Sequence, residues 1–99
     1  MPAPRSITFA VHGPIARSDL PGLCARICRL LEQADPLVAI GDVEGVPPDA
    51  VTVEALARLQ LAAQRHGCRV WLRRASPELL DLVALMGLRD VLPELAPGR

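Results

Sequence analysis

PLVAIGDVEGVPPDAVTVEALARLQLAAQRHG, Pro36 to Gly67, decides the fold. Leu37 to Ile40 is apolar without alternation, which reads as a strand covered on both faces. The run ends at an acid, Asp42. A loop with Gly45 and Pro47-Pro48 follows, and then a helix over roughly Thr52 to His66. Val53, Leu56, Leu59 and Ala63 fall on one side of that helix, with Arg58, Gln64 and Arg65 outside. Gly67 suits a left-handed cap at its end. Open α/β sheets place ligands at such strand ends.

Working outward, Ile7, Phe9 and Val11 alternate with Ser6, Thr8 and Ala10 at the two-residue period of a strand, which Gly13-Pro14 ends. Ser18-Asp19 before Leu20-Pro21 signals a helix start. Leu20, Leu23, Cys24, Ile27, Leu30 and Leu31 then form one apolar stripe. After Gly67, Val70 and Leu72 alternate with Arg69, Trp71 and Arg73 as a third strand. Ser76-Pro77-Glu78 opens a last helix with capping hydroxyl, first-turn Pro and first-turn acid. Its inner face is Leu79, Leu80, Val83 and Met86; Gly87 ends it and Leu88 packs back. The order is β, α, β, α, β, α, an α/β fold with a mixed or parallel sheet. We expect about 3–5 strands and 3–4 helices. The folded domain spans 6–93, between flexible Pro-rich tails at 1–5 and 94–99.

Ninety-nine residues make one domain, and 51% hydrophobic residues supply its core. Eleven basic residues, all Arg, balance eleven acids. That neutrality gives no footprint for nucleic acid or an anionic membrane. No apolar stretch reaches the roughly 18 to 20 residues of a membrane span. The N-terminus lacks a signal-peptide pattern, so the expected location is the cytoplasm. Three cysteines fit reduced thiols better than a disulfide framework.

Over roughly residues 6–93 the chain resembles the STAS domain. The parts that carry the likeness are a first strand ending in Gly13, the strand-ending Asp42, LARLQLAAQRHG closing on Gly67, CRVWLRR, and SPELLDLVALMGLRDVL. The family includes bacterial anti-sigma factor antagonists and STAS subunits of phospholipid-transport ABC systems. In the antagonists, an Asp-Ser-Ser-Gly-like turn opens the second helix, and a partner kinase phosphorylates its first Ser. Counting back from Gly67 puts that turn on Asp49, Ala50, Val51 and Thr52. The Asp matches, but the phosphorylatable position is Ala50, which has no hydroxyl. Ala16 also stands where the family usually has an acid after the first strand's Gly.

The physics of the junction suits the family's switch. A helix N-terminus carries unpaired N–H groups and partial positive charge, and a phosphate there adds about −1.5 to −2 charge. Thr52 is the one hydroxyl in the loop and first turn. Two readings compete for it: an N-cap, a role Asp49 also competes for, and a displaced phosphosite. Asp42 is read either as a partner or ligand contact or as a carboxylate bonding loop amides. Pro47-Pro48 stiffens the loop, which lowers the entropy lost on docking.

Other candidates carry less. Cys24 and Cys28 share a helix face and could bind metal only with Cys68 or His66 converging; core packing is the simpler reading. Nothing orders His12 or His66 into a Cys-His dyad. Trp71 is expected in the core, under a helix; exposed beside Arg69 and Arg73, it would mark a partner contact. No catalytic residue, metal site or cofactor is assigned.

The sequence therefore reads as a non-catalytic protein-interaction module. The expected surface is the loop 42–52 and the exposed face of the second helix, with Asp42, Asp49, Ala50, Thr52, Val53 and Glu54. The expected partner is an anti-sigma factor or serine-kinase-like protein. The alternatives are an ABC-transporter ATPase in a lipid-transport complex, and a small ligand or nucleotide at the strand ends. A homodimer is left open.

Overall fold

The structure is a computed structural model describing residues 6–95. Three strands and three α-helices alternate: β1 (Ser6–Ala10), α1 (Leu20–Ala34), β2 (Val38–Asp42), α2 (Ala50–Arg65), β3 (Arg69–Arg73) and α3 (Pro77–Leu85). A one-turn 3-10 helix, Arg17–Asp19, leads into α1. The strands form a parallel sheet in the order β1-β2-β3. The α/β order read from the sequence is the order observed.

Strand order explains the layering. The two crossovers step the same way across the sheet, and right-handed crossovers then put α1 and α2 on one face. The register aligns Ile7, Ala39 and Val70, and Phe9, Gly41 and Leu72, on that face. There they meet Ile27 and Leu31 of α1, Val53, Leu56 and Leu59 of α2, and Leu79 and Val83 of α3 in one core. Gly41 lies under Phe9 and Val70; a Cβ there would come within 3.2 Å of the Phe9 ring.

Two expectations change here. The run 37–40 is not covered on both faces among the described residues: Ala39 is buried beneath the helices, while Val38 and Ile40 are half-buried on the opposite face. Trp71 shares that opposite face, since it registers with Ile40, and it is half-buried rather than in the core. The cause is topological: all three helices pack into one core on one side.

The edge at β3 is closed by two devices. The buried Gln60 side chain imitates a strand residue: its Nε2 donates to the carbonyl of Val70 at 2.9 Å, and the Val70 N–H donates to its Oε1 at 2.8 Å. The same Nε2 donates to the carbonyl of Val91 at 2.8 Å. Further along, the Leu72 N–H donates to Pro93 and the Leu95 N–H donates to Leu72, at 2.9 and 2.7 Å. Glu94 and Leu95, assigned to a tail by the sequence, thus pair with β3. The rest of both expected tails lies outside the described residues.

Helix termini and helix faces follow local chemistry with three adjustments. Ser76 Oγ accepts from the Leu79 N–H at 3.1 Å, the cap expected for α3. Gly67, at φ +70°, ends α2, and the Cys68 N–H donates to Ala63 at 2.9 Å. At α1, Asp19 turns back to accept the Ala16 N–H at 3.0 Å instead of capping the helix. Leu30 and Met86, expected on inner faces, are 40% and 42% exposed. The third adjustment, at the start of α2, belongs to the candidate site.

Candidate functional site at the β2–α2 junction

Asp42 ends β2 with its side chain on the face away from the helices, yet the residue is only 7% exposed. Arg73, the last residue of β3, and Arg74, just past it, cover it. Arg73 donates to Oδ2 at 3.2 Å; Arg74 donates to Oδ1 through Nε at 3.2 Å and to Oδ2 through Nη2. The Glu44 N–H adds a bond to Oδ1 at 3.1 Å. The Arg74 hydrogen bonds, opposed by partial burial and helped by Glu44 and Arg73, hold the carboxyl well below the usual carboxylate range. Arg74 is held protonated in return, above its ordinary value, and a second pair to Glu44 at 3.2 Å extends the cluster. Arg74 takes φ +59°, a left-handed backbone that turns its side chain back over Asp42.

The loop from 43 to 49 is fixed at both ends. Val43 and Val46 are buried in the core, and the Val46 N–H donates to Val43 at 3.2 Å across a turn completed by Gly45 at φ +79°. Pro47 lies so close to Gly13 that a Cβ on Gly13 would collide with its ring. The Asp49 N–H then donates to Pro47 at 3.0 Å.

Helix α2 starts two residues earlier than the sequence suggests, because Asp49 is its cap. Asp49 Oδ1 accepts the Thr52 N–H at 2.8 Å. Ala50, the first helical residue, is exposed, as is Asp49. Thr52 and Val53 point inward and are each 0% exposed. Thr52 Oγ1 is buried without a hydrogen-bond partner. This corrects the surface read from the sequence: Thr52 is neither the cap nor an accessible hydroxyl, and Val53 is core. Helical geometry explains it, since Val53, Leu56, Gln60 and Ala63 continue one buried stripe and Thr52 lies beside it.

Glu54, one turn into α2, is half-buried and accepts from two arginines. Arg17 of the 3-10 helix reaches it across the surface, and Arg58 donates from the next turn at 3.0 Å. The exposed ground at the junction is therefore Asp49, Ala50 and the Arg17–Glu54–Arg58 row, with the neutralised Asp42 cluster at the strand end. Sequence reading found the acids but not the arginines that hold them: Arg73 and Arg74 lie 31 and 32 positions from Asp42 and Arg17 lies 37 from Glu54, while Arg58, four positions from Glu54, was read only as an outside residue of the helix.

A recess of about 410 Å³ lies between the β1–α1 loop and α1, lined by His12, Ile15, Ser18, Asp19, Leu23 and Arg26 among others. Asp42 does not line it. Among the described residues no group of three or more His, Cys, Asp or Glu side chains is placed to hold a metal ion. Cys24 and Cys28 are half-buried on α1, where burial first and then the neighbouring Cys28 push the Cys24 thiol up. No helix among the described residues is long and apolar enough to cross a membrane.

No family model matches the chain, and no curated protein matches it. Among solved structures, it is similar to the anti-sigma factor antagonist SpoIIAA in its unphosphorylated form. The superposition has a TM-score of 0.68 and 15% sequence identity, and covers 97% of this chain and 85% of that one. The fold is thus the STAS fold, as the order of motifs implied.

Proposed function

We propose that this chain is a non-catalytic protein-interaction module of the anti-sigma factor antagonist type, whose partner docks at the β2–α2 junction. The observation that carries the reading is the start of α2. On a fold shared with such an antagonist over 97% of the chain, the capped helix presents an exposed Ala50 at its first position. The loop before it is already fixed by Val43, Val46, Pro47 and the Asp42 cluster, so little backbone entropy remains to be lost on docking. A phosphate at that helix start would lie in a favourable field, but Ala50 offers no oxygen to carry it and Thr52 is enclosed. The partner class is an anti-sigma factor or serine-kinase-like protein, and the contact at this surface is not switched by phosphorylation there.

Tagged wild type and an Ala50→Arg variant, expressed in the source cells and purified with their bound proteins, test this. The expected result is a protein of that class retained by wild type and lost from a variant that remains folded. Identical partner sets would remove the junction as the docking surface. Retention of an ABC-transporter ATPase would replace the regulator reading with that of a transporter subunit.

A further inference from the structure

The second face of the sheet has a definite chemistry. Register places its side chains in three rows: Ser6, Val38 and Arg69; Thr8, Ile40 and Trp71; Ala10, Asp42 and Arg73. Val38, Ile40 and Trp71 form a half-buried apolar centre that is no part of the core. All-parallel sheets are normally covered on both faces, and no helix among the described residues covers this one. The Arg69 guanidinium lies over the Trp71 ring, 5.4 Å from its centroid.

Charge selects the occupant. The cationic groups run along β3, Arg69 and Arg73, with Arg74 beside them. Asp42 already holds Arg73 and Arg74, and Glu44 pairs with Arg74, so among the described residues Arg69 is the cation of this face left without a carboxylate. A second copy laid face to face would bring more arginine and no free carboxylate to meet it. Outer strands about 10 Å apart match the diameter of a single α-helix. We propose that this face is a second docking surface, separate from the junction, for an amphipathic α-helix of a partner protein. Its apolar stripe would cover Val38, Ile40 and Trp71, and carboxylates along one flank would meet Arg69.

Trp71 is the chain's one tryptophan and there is no tyrosine, so intrinsic fluorescence reports on this face. The probes are two helical peptides with the same Leu/Ile stripe, one flanked by Glu and the other by Lys, titrated into the full chain. The expected result is a saturable blue shift with the Glu-flanked peptide, at a Kd at least about tenfold below that of the Lys-flanked one. Arg69→Glu, with its fold checked by circular dichroism, reverses the preference; Arg69→Gln, the milder change, shrinks it. No shift with either peptide, or equal shifts with both, overturns the proposal. So does a blue shift that grows with protein concentration alone alongside a dimer in sedimentation, which would assign the face to a second copy.

Discussion

Asp49 caps the helix that holds Thr52: its Oδ1 accepts the Thr52 backbone N–H at 2.8 Å, while the Thr52 hydroxyl is enclosed without a partner. The two side chains therefore have opposite energetic signs. Asp49→Ala should cost about 1 kcal/mol of stability through the lost cap. Thr52→Val removes a buried hydroxyl that bonds nothing and should be neutral or stabilising by up to about 1 kcal/mol. Urea unfolding of both variants checks this. A Thr52→Val protein less stable than Asp49→Ala would mean that the hydroxyl has a partner after all.

Gln60 is expected to be among the costliest positions to change. Gln60→Leu keeps the volume but leaves the Val70 N–H, the Val70 carbonyl and the Val91 carbonyl without their partner. The expected loss is about 3 kcal/mol. It should come with faster aggregation, because the outer edge of β3 is then open at Val70. Denaturation and light scattering on the same sample measure both effects.

The Asp42 cluster gives the stability a specific acid dependence. A carboxyl whose folded pKa lies below its unfolded value of about 3.9 stabilises the fold fully above that value. The contribution is lost as pH falls below about 4 toward the folded pKa. Asp42→Asn should cost about 2 kcal/mol at neutral pH, through hydrogen bonds to charged groups. The gap between wild type and Asp42→Asn should then narrow between about pH 4 and pH 2. A gap independent of pH in unfolding curves would show that the carboxylate charge is not what the arginines hold.

Ala50 separates stability from binding. A carboxylate at the first position of α2 interacts favourably with the helix dipole, so Ala50→Glu should stabilise by about 0.3 to 1 kcal/mol. The same charge on the exposed docking surface should weaken partner binding by tenfold or more, a cost of about 1.4 kcal/mol. Melting temperature and a binding titration on one preparation distinguish the two effects.

What the sequence showed and what it hid follow from the range of each interaction. Ser76 at α3, Gly67 after α2 and the β-α-β-α-β-α order rest on neighbours a few positions apart, and they were legible. Asp49 and Thr52 are both good caps, and local chemistry could not choose between them; the buried stripe chose by turning Thr52 inward. Gln60 did leave a signal, a polar residue four positions after Leu56 and three before Ala63, on the apolar stripe. The side on which Trp71 lies depends on strand order, which no local pattern carries. The arginines on Asp42, and Arg17 on Glu54, come from distant segments, and charge alone did not pair them.

The claim that the junction is a contact surface without a phosphoryl switch is tested most directly by mass and affinity together. Wild type and Ala50→Ser are each incubated with the captured partner and ATP, then analysed by intact mass and by titration against that partner. The account predicts no phosphate-sized gain and unchanged affinity for wild type. For Ala50→Ser it predicts a gained phosphate on the peptide containing residue 50 and weakened binding. A phosphate on the wild-type peptide containing Thr52, with a matching loss of affinity, would contradict it.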